Sequence, residues 1–535
     1  MSTKESVDYI IVGAGSAGCV LANRLSSKPQ NQVMILESGP RDSSMWIHLP
    51  IGYGKTMWDP KVNWKFETEP DSEMKHRKIY WPRGKCLGGS SSINGLIFIR
   101  GQPEDYDLWR DLGNPGWGWD DVLPYFKKSE GNDRLAEPFH SQDGPLKASS
   151  IRKKHPLIEA VIKSAKQLNV PYTDDFNNLQ QEGVGYYQLS THRGLRCSAA
   201  VAYLKPAMKR PNLRVSTDSH VGKIIFEGNR AVGVEYLQQG IKKTIYARKE
   251  VILSAGAILS PQLLQLSGIG PAKLLDKFAI PLIHDLPGVG QNLQDHLQHR
   301  LIYELNQDIS TNTQLTSLFG KIQIALDWLL FRSGPLAIGI NQGGLFTKVM
   351  PQSKTPDIQF HISTLSADMA GGKIHPFPGL TLSVCQLRPE SRGYVEIQST
   401  DPMVPPKMLA NYLSTQLDRD TSVAAVKFAK QLAETNPLKN LIKRAVKPQN
   451  PQSDDELLEF CRDNGATIFH PLGTCQMGSD TNVNAVLNSQ LQVRGVQALR
   501  VVDCSAMPRL PSGNTNWPAV MLAEKAADLI MANGE

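Results

Sequence analysis

The first run of apolar residues, YIIV at 9–12, is rich in β-branched side chains and stops at a glycine turn; apolar positions then recur at helical spacing to Leu25, and a second apolar run leads to Glu37. Strand, tight turn, helix and strand in that order predict a βαβ unit. From 40 to 77 the pattern loses any period in a stretch rich in Trp, Pro and Gly, which predicts loops. It returns as an alternating apolar run at 96–99, behind the glycine- and serine-rich stretch WPRGKCLGGSSSING. Helical spacing follows over 105–128, with turn residues at 113–119. Three strand-like runs fill 213–255, the last of them, KEVILSAGA, reading as a buried strand of a parallel sheet. A helix is expected to start at Ser260-Pro261, with the serine as cap and the proline in the first turn.

Between about 302 and 464 the character changes. An amphipathic helix is expected over 319–331, strands of an antiparallel meander over 357–362, 380–387 and 393–398, and a second helix over 418–434. The apolar end of the first helix, 326–331, reads as core packing or the roof of a pocket in preference to a membrane-facing surface. The last segment returns to the earlier style, with a short buried strand LRVVD at 499–503 and a helix over 517–531 that has Asn516 as its cap, Pro518 near its first turn and Gly534 beyond its end. The expected organisation is therefore a dinucleotide-binding domain in three parts (1–150, 211–300 and 466–535), a connecting segment at 151–210, and an inserted domain at 301–465.

At 535 residues the chain is too long for one core. Its 41% apolar and 20% charged residues are those of an ordinary globular protein. A formal charge of +7, from scattered basic residues, argues against a nucleic-acid partner and is compatible with loose attraction to an anionic membrane surface. No secretory leader and no run long enough to span a bilayer are read, which points to a cytoplasmic protein with at most a peripheral hold on the inner membrane. The seven cysteines are spread without a C-x-x-C pair, against both a disulfide framework and a zinc site, and no metal site is expected. Walker A, H-E-x-x-H, EF-hand and G-x-S-x-G patterns do not occur.

The chemistry starts at the first turn. Gly13, Gly15 and Gly18 stand at G-x-G-x-x-G spacing, and Glu37 follows at about 20 residues, the offset expected for a ribose-binding carboxylate. Gly13 makes the tight turn, Gly15 lets the backbone approach a pyrophosphate, and Gly18 lets helix and strand pack closely. This predicts a dinucleotide, either FAD or NAD. His470 is the histidine set in an unusual context, IFHPLGTCQMG, where Pro471 and Gly473 make an irregular turn that presents it from a loop. Asn514 and Asn516, in PSGNTNWP ahead of the last helix, are its candidate partners.

These stretches together resemble the glucose-methanol-choline (GMC) oxidoreductases, over nearly the whole length: the fingerprint, GKCLGGSSSIN at 84–94, GAILSPQLLQLSGIG at 256–270, PGVGQNLQDH at 287–296, HPLGTCQMG at 470–478, and RVVDCSAMP with GNTNWP. The resemblance implies an α/β protein, with a discontinuous Rossmann-like FAD domain and an inserted α+β substrate domain on an antiparallel sheet. It implies FAD held at Gly13, Gly15, Ser16, Ala17, Gly18 and Glu37; at Arg83, Gly84, Leu87, Gly88, Gly89, Ser90, Asn94 and Gly95; at Val221 and Ala255; and at Asp503, Asn514, Thr515 and Asn516. Some members tether the flavin through a histidine just before the asparagine of the second motif; here that residue is Ile93, which implies non-covalent FAD. Cys504 stands where small residues such as alanine are usual. His470 and Asn514 are the implied catalytic pair, with imidazole taking the hydroxyl proton while hydride leaves for flavin N5. The last helix would set its positive end near the flavin.

The expected reaction is oxidation of a primary alcohol to the aldehyde, with electrons passed to a quinone or another acceptor. The alternatives are an oxidase that makes peroxide from aryl or furan alcohols, a choline dehydrogenase, and, with less support, a non-redox lyase, a photodecarboxylase or a purely structural flavin-binding module.

Overall fold

The β-branched run at the front of the chain lies in the middle of a seven-stranded sheet. The computed structural model describes residues 5–369 and 371–532. Strands Ser6–Val12 (β1), Val33–Leu36 (β2), Leu213–Ser216 (β3), Ser219–Glu227 (β4), Arg230–Gln238 (β5) and Ile241–Leu253 (β6) run in the order β3-β2-β1-β6-β5-β4, and the short strand Leu499–Val501 pairs with β6. β1 is parallel to β2 and β6, β2 to β3, and Leu499–Val501 to β6, whereas β4, β5 and β6 form an antiparallel meander. Every β1 residue after Ser6 is buried, which is why this run is apolar without alternation.

Helix α1, Ser16–Leu25, packs on this sheet, and helix α2 spans Gly256–Leu266. α2 starts four residues ahead of the expected Ser260-Pro261, because its cap comes from far along the chain. Asp503 accepts from Gly256 N (2.9 Å) and from Ser260 Oγ (2.6 Å). Pro261 therefore sits inside the helix, and the Ala257 carbonyl that it leaves without an N–H accepts the Thr474 hydroxyl (2.6 Å).

The second sheet is antiparallel throughout. Leu297–Leu305 (β7), Asn341–Thr347 (β8), Ile358–Ser363 (β9) and Gly379–Gln386 (β10) lie in the order Ile442–Lys447, β7, β10, β9, β8, Gly183–Tyr186, with Ala466–Thr467 paired to the end of β7. Two of the three meander strands expected here join it; the third does not. Tyr394–Glu396 pairs with Lys407–Leu409 in a separate ribbon. It is drawn to the first sheet's side by Val395 N to Gly290 O (2.7 Å) and by Gln265 of α2, whose side chain bonds Val395 O (3.1 Å) and Ile397 N (2.8 Å). Alternate residues of the large sheet, such as Leu301, Phe360, Ile362 and Leu382, enter one core with helices Pro156–Gln167 and Gln416–Ala433. The polar residues between them face the opposite way, over the first sheet's edge.

Helix α3, Leu318–Phe331, forms where expected, but its apolar end is neither core nor roof. Only Gly320 and Ile324 are buried, and Leu326, Leu329, Leu330 and Phe331 are 49%, 60%, 67% and 64% exposed. No helix among the described residues is long and apolar enough to cross a membrane.

The last helix, α4, spans Asn516–Ala532, one residue earlier than expected; Gly534 lies outside the described residues. Ser16 Oγ donates to Asn516 Oδ1 (2.8 Å), and eight residues on in both helices Arg24 makes a forked ion pair with the fully buried Glu524 (2.7 and 2.8 Å). The equal spacing means that α1 and α4 run parallel, in register, with their N-termini side by side. All seven cysteines are free, and no group among the described residues could hold a metal ion.

Candidate functional site

A cavity of about 550 Å³ lies between the two sheets and is lined from both. At its first-sheet end the glycines divide their tasks by geometry. Gly13 has φ +100°, and a Cβ there would stand 2.5 Å from Ser254 O; a Cβ on Gly18 would stand 1.9 Å from Gly13 O. On Gly15 the nearest atom would be 3.9 Å away, so that backbone is open to whatever fills the cavity. Ser16, Ala17 and Glu37 also line it. Glu37 accepts from Ala14 N and Gly39 N (both 2.9 Å); burial pushes its carboxyl up to about 7, against the pull of those two N–H groups and of Lys85.

The glycine-serine stretch lies against this turn. A Cβ on Gly89 would come 2.7 Å from Gly15 Cα, and Gly88 N donates to Ala14 O (2.7 Å), so two glycine backbones meet where side chains could not. Arg83, Gly84, Gly89, Ser90, Asn94 and Gly95 line the cavity. Gly18, Leu87 and Gly88 do not: Gly18 is packed under Gly13, Leu87 is buried in the core, and Gly88 is turned to Ala14, so all three support the wall from behind. Val221 and Ala255 contribute from the first sheet, and Asp503, Thr515 and Asn516 from the last segment. The first residues of both α1 and α4 are thus on the cavity surface, where two sets of unpaired N–H groups and two positive dipole ends converge. Open backbone at Gly15, a buried acidic acceptor at Glu37 and two helix N-termini form a donor and acceptor set that fits a dinucleotide.

His470 and Asn514 meet deeper in, with Asn514 Nδ2 3.2 Å from His470 Nε2. The hydrogen-bond network decides which nitrogen carries the proton. His296 Nε2 lies 2.8 Å from Leu387 O, which can only accept, so His296 carries its proton there. Its Nδ1 is then an acceptor, and it lies 2.9 Å from His470 Nδ1, which must donate. A second chain of bonds arrives from the other side: Tyr187 OH donates to Phe360 O (2.7 Å), Gln359 Nε2 donates to Tyr187 OH (3.0 Å) and to Asn514 Oδ1 (3.2 Å), and Asn514 therefore turns its N–H₂ to His470. Both chains leave His470 Nε2 unprotonated at the cavity, its lone pair accepting from Asn514 Nδ2.

The backbone of His470 is fixed as firmly. Its N–H donates to Asp295 (2.7 Å), which also accepts from the hydroxyls of Tyr412 (2.5 Å) and Thr467. Phe469 just before it has φ +72°, a left-handed conformation costly for a bulky residue, with its carbonyl held by Arg83 Nη2 (2.6 Å). Burial holds the His470 imidazole well below the usual histidine range, and His296, His361 and Arg83 push it the same way; burial is also the main cause that takes His361 and His296 down to about 4, joined at His361 by His296 and Arg300.

His296, His361 and Gln359 were not legible as functional residues in the chain. His296 ends the run at 287–296, where nothing marks one residue above its neighbours. The other two carried a usable signal: IQFHIS at 358–363 alternates strictly, which puts Gln359 and His361 on the face opposite Phe360.

Residues 7–298 and 389–523 match the N- and C-terminal domains of GMC oxidoreductase. The chain is 41% identical over 528 residues to an alcohol dehydrogenase (acceptor) of Pseudomonas putida, covering 98% of this chain and 95% of that one. It is 41% identical over 535 residues to the mitochondrial choline dehydrogenase of Mus musculus, covering 98% and 90%. Among solved structures, a pyridoxine 4-oxidase from Mesorbium loti is 28% identical with a TM-score of 0.88, over 98% of each chain.

Proposed function

The chain belongs to the GMC oxidoreductase family, and from that premise we propose a mechanism in which His470 is the general base and Asn514 its partner at the substrate oxygen. The protein is an FAD-dependent oxidoreductase acting on CH–OH groups. When bound, FAD supplies the hydride acceptor at flavin N5. The observation that carries the reading is the lone pair on His470 Nε2, facing the Asn514 N–H₂ group inside the cavity that the glycine turn opens onto. A substrate hydroxyl entering there accepts a hydrogen bond from Asn514 and gives its proton to Nε2. His296 and Asp295 keep the ring and its backbone in place while charge appears. Burial suits the task, since a base that is not already protonated is available at neutral pH.

Glu37 is positioned to accept from ribose hydroxyls, and the N-termini of α1 and α4 to meet the pyrophosphate and the flavin ring. Ile93 lines the cavity with hydrocarbon only, which supports non-covalent FAD. The product is an aldehyde from a primary alcohol, and the relative named for an unspecified acceptor supports electron transfer to a quinone in preference to O₂. A quinone lives in a bilayer, and the exposed face of α3 supports peripheral attachment of the protein to a cytoplasmic membrane surface.

The test is anaerobic bleaching of the flavin band by aliphatic, benzylic and furanic alcohols and by choline, followed by air and then by a soluble quinone. Bleaching with slow recovery in air and fast recovery with quinone is expected. Rapid recovery with peroxide would make the enzyme an oxidase, and no bleaching by any alcohol would remove the alcohol-oxidising assignment.

A further inference from the structure

Away from the glycine turn, the cavity is lined by the polar face of the second sheet, and one residue there is left without a counter-ion. Arg300 on β7 and His361 on β9 both pair with Ser383 on β10, so the three lie in one row across the sheet, the outer two about 10 Å apart by strand spacing. His361 and Arg300 line the cavity, and the His361 side chain is within hydrogen-bonding reach of Asn514. The guanidinium of Arg300 makes one long bond, from Nη2 to Ala367 O (3.3 Å), and its buried Nε has no partner. Among the described residues no carboxylate lies within ion-pair distance of it. The nearest in charge, Asp368, is 66% exposed and bound to Lys447 (2.7 Å). The acidic residues on the cavity wall are Glu37 and Asp503, both at the far end and both taken up by backbone N–H groups. Two more polar atoms beside the row, Gln342 Oε1 and His361 Nδ1, are also buried without a partner, on side chains that are each 4% exposed.

Arg300 is only half-buried, but a guanidinium whose buried Nε has no acceptor and which has no counter-ion is costly unless something completes it. Its planar fork matches a carboxylate or a comparable oxyanion. We infer that the substrate is a primary alcohol bearing an anionic group, with its hydroxyl at His470 and Asn514 and its carboxylate, or an equivalent oxyanion, on Arg300. This rests on the alcohol-oxidising reading above and adds the substrate class to it. The same geometry disfavours an alcohol carrying a quaternary ammonium, which would set like charge against Arg300 in a poorly screened cavity.

The experiment uses holoenzyme and pairs of substrates of equal chain length, a neutral primary alcohol and the corresponding ω-hydroxy carboxylate, with choline as the cationic member. kcat/KM is expected to favour the hydroxy acid by roughly tenfold to hundredfold, the scale of a charge-assisted bond. That ratio should collapse towards one in Arg300→Gln and recover in part in Arg300→Lys. Independently of turnover, butanoate should perturb the flavin spectrum saturably in the parent enzyme and not in Arg300→Gln. Preference of the parent for neutral alcohols or choline, an unchanged ratio in Arg300→Gln, or butanoate without effect on the parent would overturn the inference. Bleaching by neutral alcohols alongside any of those results would leave the alcohol-oxidising reading standing.

Discussion

A histidine acts as a base only through the ring nitrogen that its neighbours leave unprotonated, and here that choice is made by the Leu387 carbonyl, relayed through His296. His470→Ala should retain flavin and lose alcohol turnover by roughly 10²–10⁴-fold, as for a removed base; near-normal turnover would refute the role. His296→Ala removes the acceptor for His470 Nδ1–H and, with the buried ring, the donor to Leu387 O. It should lower kcat by roughly tenfold to hundredfold with little change in KM. His296→Asn, whose Oδ1 stands close to the place of Nδ1, should restore much of the loss, which a merely space-filling residue would not show. The acid limb of kcat/KM reports the same residue. A base loses activity as pH falls through its pKa, and burial with His296, His361 and Arg83 nearby sets that pKa well below 6.5, so activity should hold level down to pH 6.5 and fall only beneath it. His470 was visible in the chain because proline and glycine force its turn. His296 was not, because a tautomer relay depends on which carbonyl lies beyond the ring, and that is a tertiary fact.

Elements were legible where their period was strong, and their surroundings were not. The fingerprint, the helix ending in Phe331 and the helix ending in Ala433 all form. The start of α2 was misread because a local cap signal, Ser260-Pro261, was overridden by Asp503, 243 positions away from Ser260. In α3 the helix was legible and its buried side was not, since apolar residues occur all round it. At 3.6 residues per turn, Leu318, Phe319, Ile322, Leu326, Leu329 and Leu330 fall within an arc of about 120°, and all six are exposed. Arg152, Lys153, Arg193 and Arg332 surround a groove at the C-terminal end of the same helix, a basic rim that suits an anionic bilayer. Holoenzyme should therefore sediment with vesicles containing phosphatidylglycerol and much less with phosphatidylcholine alone. Leu326→Asp with Leu330→Asp should cut the bound fraction by roughly tenfold or more and leave turnover with a soluble acceptor unaltered. Absence of vesicle binding by the parent would remove the membrane assignment. A parent that dimerises through α3 and ignores vesicles would replace it.

At the scale of the molecule, the cavity is the space between two sheets, so a dinucleotide filling it ties both halves together and adds its binding free energy to the stability of the fold. Glu37 makes this coupling depend on pH. Its carboxyl is faced by Ala14 N, Gly39 N, Lys85 and Asp218, and burial raises it from 4.5 to about 7 in the protein without ligand. In the apoprotein a raised carboxyl contributes stability below its unfolded pKa, and that contribution is lost as pH rises from 4.5 through about 7. Ribose hydroxyls are accepted more strongly by the ionised form, which offers both oxygens and a charge, so FAD held there would favour deprotonation. Its affinity should be level above pH 7 and weaken below it, by at most about tenfold per pH unit for one proton. The two signs are opposite, and the gap between the melting temperatures of holoprotein and apoprotein should widen as pH rises through 7. Glu37→Gln has no proton to exchange and keeps one amide oxygen as acceptor. It should bind FAD more weakly than the parent above pH 7 and with no pH slope of this origin. Fluorescence titration of apoprotein with FAD, on both sides of pH 7 in parent and variant, measures the slope directly. A parent affinity that is flat across pH 7, or a slope that survives in Glu37→Gln, would show that the ribose contact is made elsewhere.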